Sequence, residues 1–283
     1  MRPHISEIQR FCLHDGPGIR TVIFFKGCNL SCPWCANPEN ISFITEFGFD
    51  KKKCMRNNTS CDLNQSCSIL YDKGMRVEDC PANCIVQFGK IYSDDDLIDI
   101  ISRDIDYYGE KGGITLSGGE CLLAIDKYIS FLKRVKNLRI NIAVETSLFC
   151  PINNLSIAFD LVDLFIVDVK ILDTESCKKE INGSLDTYFK NLDFLFKNIP
   201  PERIIMRFPI VRGITYTTEN INRISKMVKK YSPLRLEIFS VHNLSKTKYD
   251  LLGKSFKEFE KIPNEELIKI SKKIGYKLTV ILH

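Results

Sequence analysis

No apolar run in this chain reaches the roughly 20 residues that a membrane-spanning helix requires. Its first ten residues, MRPHISEIQR, lack the apolar stretch of a secretory signal peptide. Together these predict a cytoplasmic protein that needs no membrane. No five like charges stand in a row, and 40 basic residues face 35 acidic ones, a formal net charge of +5. That mild, mixed balance argues against a dedicated nucleic-acid surface. No unit repeats at a period of about 20–50 residues, which excludes a solenoid. Trp occurs once and His four times, so any metal site has few imidazoles to draw on.

Cysteine is what the chain has in excess: 12 in 283 residues. Secreted disulfide scaffolds are much shorter. In a reducing compartment, clustered thiols read as metal or cluster ligands. Three of them, Cys28, Cys32 and Cys35, stand four and three residues apart in CNLSCPWC. Three thiolates on a four-iron, four-sulfur cubane leave one iron without a protein ligand, free to bind substrate, as a catalytic zinc keeps an open position. The alternative is a structural zinc or a stray set of buried thiols. Zinc usually takes a fourth Cys or His at short spacing, and the nearest His is His14, beyond a predicted strand.

The rest of the chain alternates strand and helix. Strands are predicted at Ile19–Lys26, Gly112–Leu116, Ile140–Glu145, Leu164–Val169, Ile204–Val211, Leu234–Val241 and Lys277–Leu282. Helical patterns separate them, at Leu97–Tyr107, after Glu120 through Lys136, and at Leu185–Lys197, Ile221–Tyr231 and Glu265–Ile274. Hydrophobic content of 44% supports a real core. This pattern predicts an α/β protein with a parallel sheet, without deciding between an open sheet and a barrel. Residues 42–92 break the rhythm: polar, poorly periodic, and holding Cys54, Cys61, Cys67, Cys80 and Cys84. We divide the chain into residues 1–41, a Cys-rich insert at 42–92, and 93–283. Cys80-Pro81 matches the Cys-Pro that closes a bacterial ferredoxin motif. Four of the five thiols are expected to hold a second cluster. A degenerate insert or a zinc site is the alternative.

Several polar residues sit at predicted strand ends, where β/α barrels carry their chemistry. Ser117-Gly118-Gly119-Glu120 offers close backbone approach and a carboxylate, and as a lone motif it is an ordinary strand-to-helix turn. Glu145-Thr146 and Asp168-Val169-Lys170 end the next two strands; the plainer reading of Lys170 is a solvated surface lysine. Arg207 lies inside an apolar strand, where an unpaired charge is costly. Trp34 could simply cover the cluster, and His242 after a strand could simply be a capping or core residue. Cys12, Cys121, Cys150 and Cys177 have no partner spacing and read as small buried hydrophobes.

The run from His14 to Thr21 (HDGPGIRT), the apolar strand, KGC at Lys26 to Cys28, the thiol loop, and NPE at Asn37 to Glu39 together resemble the radical S-adenosylmethionine (SAM) superfamily. More narrowly, the chain resembles the activating enzymes of glycyl-radical enzymes, of the pyruvate formate-lyase activase type. IIMRFPIVRG around Arg207 and Val241-His242-Asn243-Leu244 with Lys248-Tyr249 extend the resemblance toward the C-terminus. It implies a partial (β/α)6 TIM-like barrel with a ferredoxin-like insert. It implies an open 4Fe-4S cluster on Cys28, Cys32 and Cys35 whose electron cleaves SAM, giving a 5′-deoxyadenosyl radical that takes hydrogen from a backbone glycine of a partner enzyme.

The resemblance also assigns roles. Ser117 to Glu120 hold the SAM amino group, and Glu145, Thr146, Asp168, Val169 and Lys170 its ribose and carboxylate. Arg207 faces a carboxylate of SAM, His242 its adenine or ribose, and Trp34 its adenine. A monovalent cation between the strand-end carboxylates belongs to the same pattern, although Glu145 stands where Asp is usual. Flavodoxin or ferredoxin is the implied electron donor and a monomer the expected state. A radical SAM enzyme acting on a small molecule, and an iron–sulfur electron carrier, are the rival functions.

Overall fold

The computed structural model describes residues 4–54, 77, 80–276 and 279–282. Its strands are β1 (Ile5–Cys12), β2 (Arg20–Phe25), β3 (Glu46–Phe49), β4 (Ile85–Phe88), β5 (Gly113–Gly118), β6 (Asn141–Thr146), β7 (Leu164–Asp168), β8 (Ile204–Ile210), β9 (Arg235–Ser240) and β10 (Thr279–Leu282). Eight of them form one sheet in the order β1-β2-β5-β6-β7-β8-β9-β10. β1 is antiparallel to β2, and every later neighbour is parallel. The seven predicted strands are therefore all present, as one parallel run. β1 is an addition that the sequence reading missed. Only Ile5 along it is fully buried, which leaves an edge strand with little pattern.

Helices carry the crossovers. α1 (Asp94–Ser102) and α2 (Ile105–Tyr108) precede β5, and α3 (Ile129–Asn137) and α4 (Ile152–Leu161) flank β6. α5 (Thr174–Ile181), α6 (Leu185–Asn198), α7 (Thr218–Tyr231), α8 (Lys246–Leu251) and α9 (Asn264–Ile274) complete the set. The single helix expected at Leu97–Tyr107 is split. Ser93 and Asp96 form a reciprocal capping box that starts α1 earlier. The break falls at Asp104, whose carboxylate turns inward to accept from Arg10 Nε at 2.9 Å and Thr21 Oγ1 at 2.7 Å.

The two faces of the sheet can be read from the period of two. On β6, Ile142 and Val144 join the main core, whereas Ala143 belongs to a small separate cluster with Leu164, Ile166 and Ile205. The main core is the helix side. The small cluster marks the inner side. Continuing that alternation toward the C-terminal ends places Ser117, Glu145, Asp168, Arg207 and Glu237 on the inner side.

The sheet is strongly curled. Arg207 Nη2 donates to the His14 carbonyl at 2.7 Å. His14 lies in the loop before β2, four strand spacings from β8 in the sheet order, which would be about 19 Å in a flat sheet. The contact requires the strands to wrap toward one another, as in a partial barrel. Residues 42–92 contribute β3 and β4, a separate antiparallel pair. Cys61 and Cys67 lie outside the described residues.

Candidate active site at the C-terminal ends of the strands

A cavity of about 270 Å³ opens where the curled sheet ends. Cys28, Cys32, Trp34 and Cys35 line one side. Ser117, Gly118, Gly119, Glu145, Asp168, Lys170, Arg207 and His242 line the others. Twelve predicted site residues thus converge from six separate strand ends and loops. Three do not reach the cavity wall: Glu120, Thr146 and Val169.

The thiol loop is fixed at its base by backbone. Gly27 N–H donates to the Asn40 carbonyl at 2.8 Å and Cys28 N–H to the Ile41 carbonyl at 3.0 Å. The Gly-Gly turn is laced to the same strand end, with Gly119 N–H on the Phe25 carbonyl at 2.8 Å and Glu120 N–H on the Gly27 carbonyl at 2.9 Å. A Cβ on Gly119 would stand 2.2 Å from the Gly27 carbonyl oxygen, so only glycine lets the two loops meet.

Glu120 has a structural position. It is 1% exposed. Its carboxylate accepts from Thr146 Oγ1 at 2.8 Å, from Ser147 N–H at 2.7 Å, and from Ser147 Oγ. Burial raises its pKa, against which the Ser147 and Thr146 hydrogen bonds pull down. The motif thus holds the turn after β6 as well as the Gly-Gly backbone. Thr146 is used up in the same bond and in accepting from Leu148 N–H at 3.0 Å.

On the inner face, Glu145 is held between Arg207 and Ser117, whose Oγ donates to it at 2.6 Å. Arg207 Nε also donates to Glu237 Oε2 at 2.9 Å. The charge inside the strand is paired by two carboxylates of the chain itself, and its remaining Nη2 bond is to His14. Burial would lower the guanidinium pKa, but Glu145 and Glu237 outweigh it and hold Arg207 protonated. Glu237 was missed in the sequence. Its signal was there, a charge between the apolar residues Leu236 and Ile238 of RLEIFS, two positions from Arg235, which also pairs with it.

Lys170 is not a surface lysine. Its side chain is 12% exposed and Nζ donates to Asp168 Oδ2 at 2.6 Å. Burial alone would lower its pKa; Asp168 and then Cys32 raise it. Burial pushes the Cys28 thiol up to about 11 and Cys32 up to about 12, and Lys170 draws both back. A fixed cation therefore faces a pocket of thiols in low dielectric, a setting that favours a net-negative thiolate cluster. His242 is exposed at the mouth. Its Nδ1 accepts from Leu244 N–H at 3.3 Å.

The donor set fits the group expected here. Three thiols open onto one cavity, with a neighbouring cation and a glycine cradle. In the insert, Cys54, Cys80 and Cys84 are buried together with Ile85, and the Cys80 and Cys84 sulfurs are 3.3 Å apart.

Arg20, in the HDGPGIRT run, is fully buried. It donates to Thr115 Oγ1 at 2.6 Å, to the Pro17 carbonyl at 3.0 Å and to Asn141 Oδ1 at 2.9 Å. It shapes the entry to β2 and does not face a partner.

Comparison with known proteins agrees. Residues 14–186 match the family of 4Fe-4S single cluster domains. The chain is 33% identical to the indoleacetate decarboxylase activating enzyme of Tractidigestivibacter scatoligenes, over 90% of this chain and 88% of that one. It is 32% identical to the pyruvate formate-lyase 2-activating enzyme of Escherichia coli strain K12, over 89% of this chain and 82% of that one. In fold it is similar to Streptococcus suis SuiB bound to S-adenosylmethionine, with a TM-score of 0.54 at 10% identity, covering 90% of this chain and 48% of that one. A three-thiol loop set at the mouth of a curled parallel sheet, in a chain this similar to activating enzymes over nearly its whole length, makes this protein a member of the glycyl-radical enzyme activating enzymes of the radical SAM superfamily.

Proposed function

We propose that this chain binds SAM in the strand-end cavity and installs a radical on a backbone glycine of a separate, larger enzyme. The observation that carries this reading is the convergence of Cys28, Cys32 and Cys35 with Gly118, Gly119, Glu145, Asp168, Lys170, Arg207 and His242 on one cavity. When bound, a 4Fe-4S cluster on the three thiolates supplies the electron for cleaving the sulfonium, and the radical so formed takes the glycine hydrogen.

The chain's own residues bind and orient. The Gly118 and Gly119 backbone accepts the SAM ammonium, with Glu120 and Thr146 holding that turn rigid from behind. Lys170 takes the SAM carboxylate and balances the cluster charge. Trp34 and His242 cover the adenine end, and Arg207 fixes Glu145 for the ribose. Curling of the sheet keeps water from the reacting centre.

The finer parts rest on the same reading. Four of Cys54, Cys61, Cys67, Cys80 and Cys84 hold a second 4Fe-4S cluster, and residues 42–92 are its module. Burial of Cys54, Cys80 and Cys84 in one cluster supports that. A reduced flavodoxin or ferredoxin delivers the electron, and the protein works as a cytoplasmic monomer. A monovalent cation between Glu145 and Asp168 has the least support, because each carboxylate already has a cationic side chain against it.

The test is anaerobic reconstitution with iron and sulfide, then reduction with dithionite in the presence of SAM. The wild type should form 5′-deoxyadenosine and Cys32→Ala should form none. Turnover by Cys32→Ala at the wild-type rate would remove the thiol loop from the mechanism.

A further inference from the structure

Two consecutive residues of α8 reach back to the cluster loop. The Tyr249 hydroxyl donates to the Cys35 carbonyl at 3.2 Å, across a sequence separation of 214. Tyr249 is 8% exposed, and its ring lies edge-on to Phe256 with centroids 5.2 Å apart, which fixes where the hydroxyl points. Lys248 Nζ donates to Asn37 Oδ1 at 3.0 Å and to Glu39 Oε1. Cys35 is thus held at its carbonyl by Tyr249, and Asn37, two residues further along the loop and in the cavity wall, is held by Lys248.

This is more than a surface ion pair. The Glu39 side chain is 3% exposed and its other oxygen, Oε2, is buried without a partner. Lys248 is therefore the side-chain cation that balances a buried carboxylate two residues from the cavity-lining Asn37. Lys26 grips the Glu39 carbonyl from the opposite side. The loop between Cys35 and Asn40 is clamped from both the first β/α unit and the last.

We propose that α8 is a clamp on the third cluster ligand, with Lys248 and Tyr249 as positioning residues that set how firmly the cluster is held and at what potential it is reduced. Hydrogen bonds to ligand groups orient the ligand and tune the iron, and their loss typically weakens metal binding by about 10–100-fold. The inference rests on the cluster reading of Cys28, Cys32 and Cys35.

The test compares full-length wild type, Tyr249→Phe, Lys248→Met, Lys248→Arg and Lys246→Met after anaerobic reconstitution. Iron release to a chelator and the midpoint potential are followed on the electron paramagnetic resonance signal that changes when SAM is added. Tyr249→Phe keeps the ring packing and removes only the hydroxyl. Lys246, on the same helix, pairs with Glu258 at side-chain exposures of 55% and 67%, and serves as the control. Tyr249→Phe and Lys248→Met should release iron about 10–100-fold faster with a shifted potential, Lys248→Arg should recover much of the loss, and Lys246→Met should match the wild type. Equal release and potential in all five proteins overturns the clamp and leaves the cluster reading intact. A wild type that takes up no four-iron cluster overturns that reading, and the clamp with it.

Discussion

Arg207 and Glu145 are locked together on the inner face of the sheet, Nη1 to Oε1 at 2.5 Å, although they belong to strands two places apart. The same guanidinium holds Glu237, whose side chain is 2% exposed. Removing the cation leaves Glu145 in low dielectric with only the Ser117 hydroxyl, while Glu237 keeps Arg235, whose Nε donates to Oε1 at 2.9 Å. Arg207→Leu should cost roughly 3–5 kcal/mol in denaturant unfolding. Adding Glu145→Gln to it should recover part of the loss. Equal stability of Arg207→Leu and wild type would show that the network carries no structural role.

Gly119→Ala places a methyl against the Gly27 carbonyl oxygen, which is backbone and cannot turn aside. The two loops must separate. We expect a stability loss of about 1–3 kcal/mol from the overpacking alone, with weaker SAM binding in equilibrium dialysis. The same change at Gly109, where an added Cβ meets nothing within 4 Å, should leave SAM binding unchanged, although its φ of +54° makes some strain there too.

The cluster loop, the Gly-Gly turn and the strand-end carboxylates were legible because each combines a fixed spacing with a strand that ends beside it. What was not legible depended on tertiary partners. Glu120 reads as a ligand in one dimension, yet Ser147 and Thr146, more than twenty residues away, occupy its carboxylate. Arg20 is buried by carbonyls from β5 and its neighbours, partners more than ninety residues away that its own segment does not reveal. β1 and β3 gave weak signals because one is an edge strand and the other is four residues long. α5 was missed because only Cys177 and Ile181 along it are buried. α8 has six residues, too few for a helical period to show.

Asp104 gives the fold an acid-sensitive joint. Hydrogen bonds from Arg10 hold its pKa below the ordinary 3.8, against burial, with Thr21 adding to them. A depressed carboxylate contributes stability that is present above its unfolded pKa and lost as pH falls through the folded value. Asp104→Asn should cost about 1.5–3 kcal/mol at neutral pH. That difference should hold down to about pH 4 and shrink below it. A difference that is constant down to pH 3 would contradict the assignment.

Iron content separates the two thiol sets. With a cluster in the insert, the wild type should bind about eight irons, and the triple Cys28, Cys32 and Cys35→Ala variant about half of that. A triple variant that retains no iron would demote Cys54, Cys80 and Cys84 to a structural role.

The central claim is that the radical ends on a glycine of a partner protein. Its most direct measurement is an electron paramagnetic resonance spectrum of the anaerobic mixture of this protein, SAM, a reductant and a purified glycyl-radical enzyme supplied as partner. A doublet near the free-electron position that collapses to a singlet when the partner's glycine is α-deuterated is the predicted result. Sustained SAM cleavage with no radical on that partner, together with modification of a small metabolite, would contradict it.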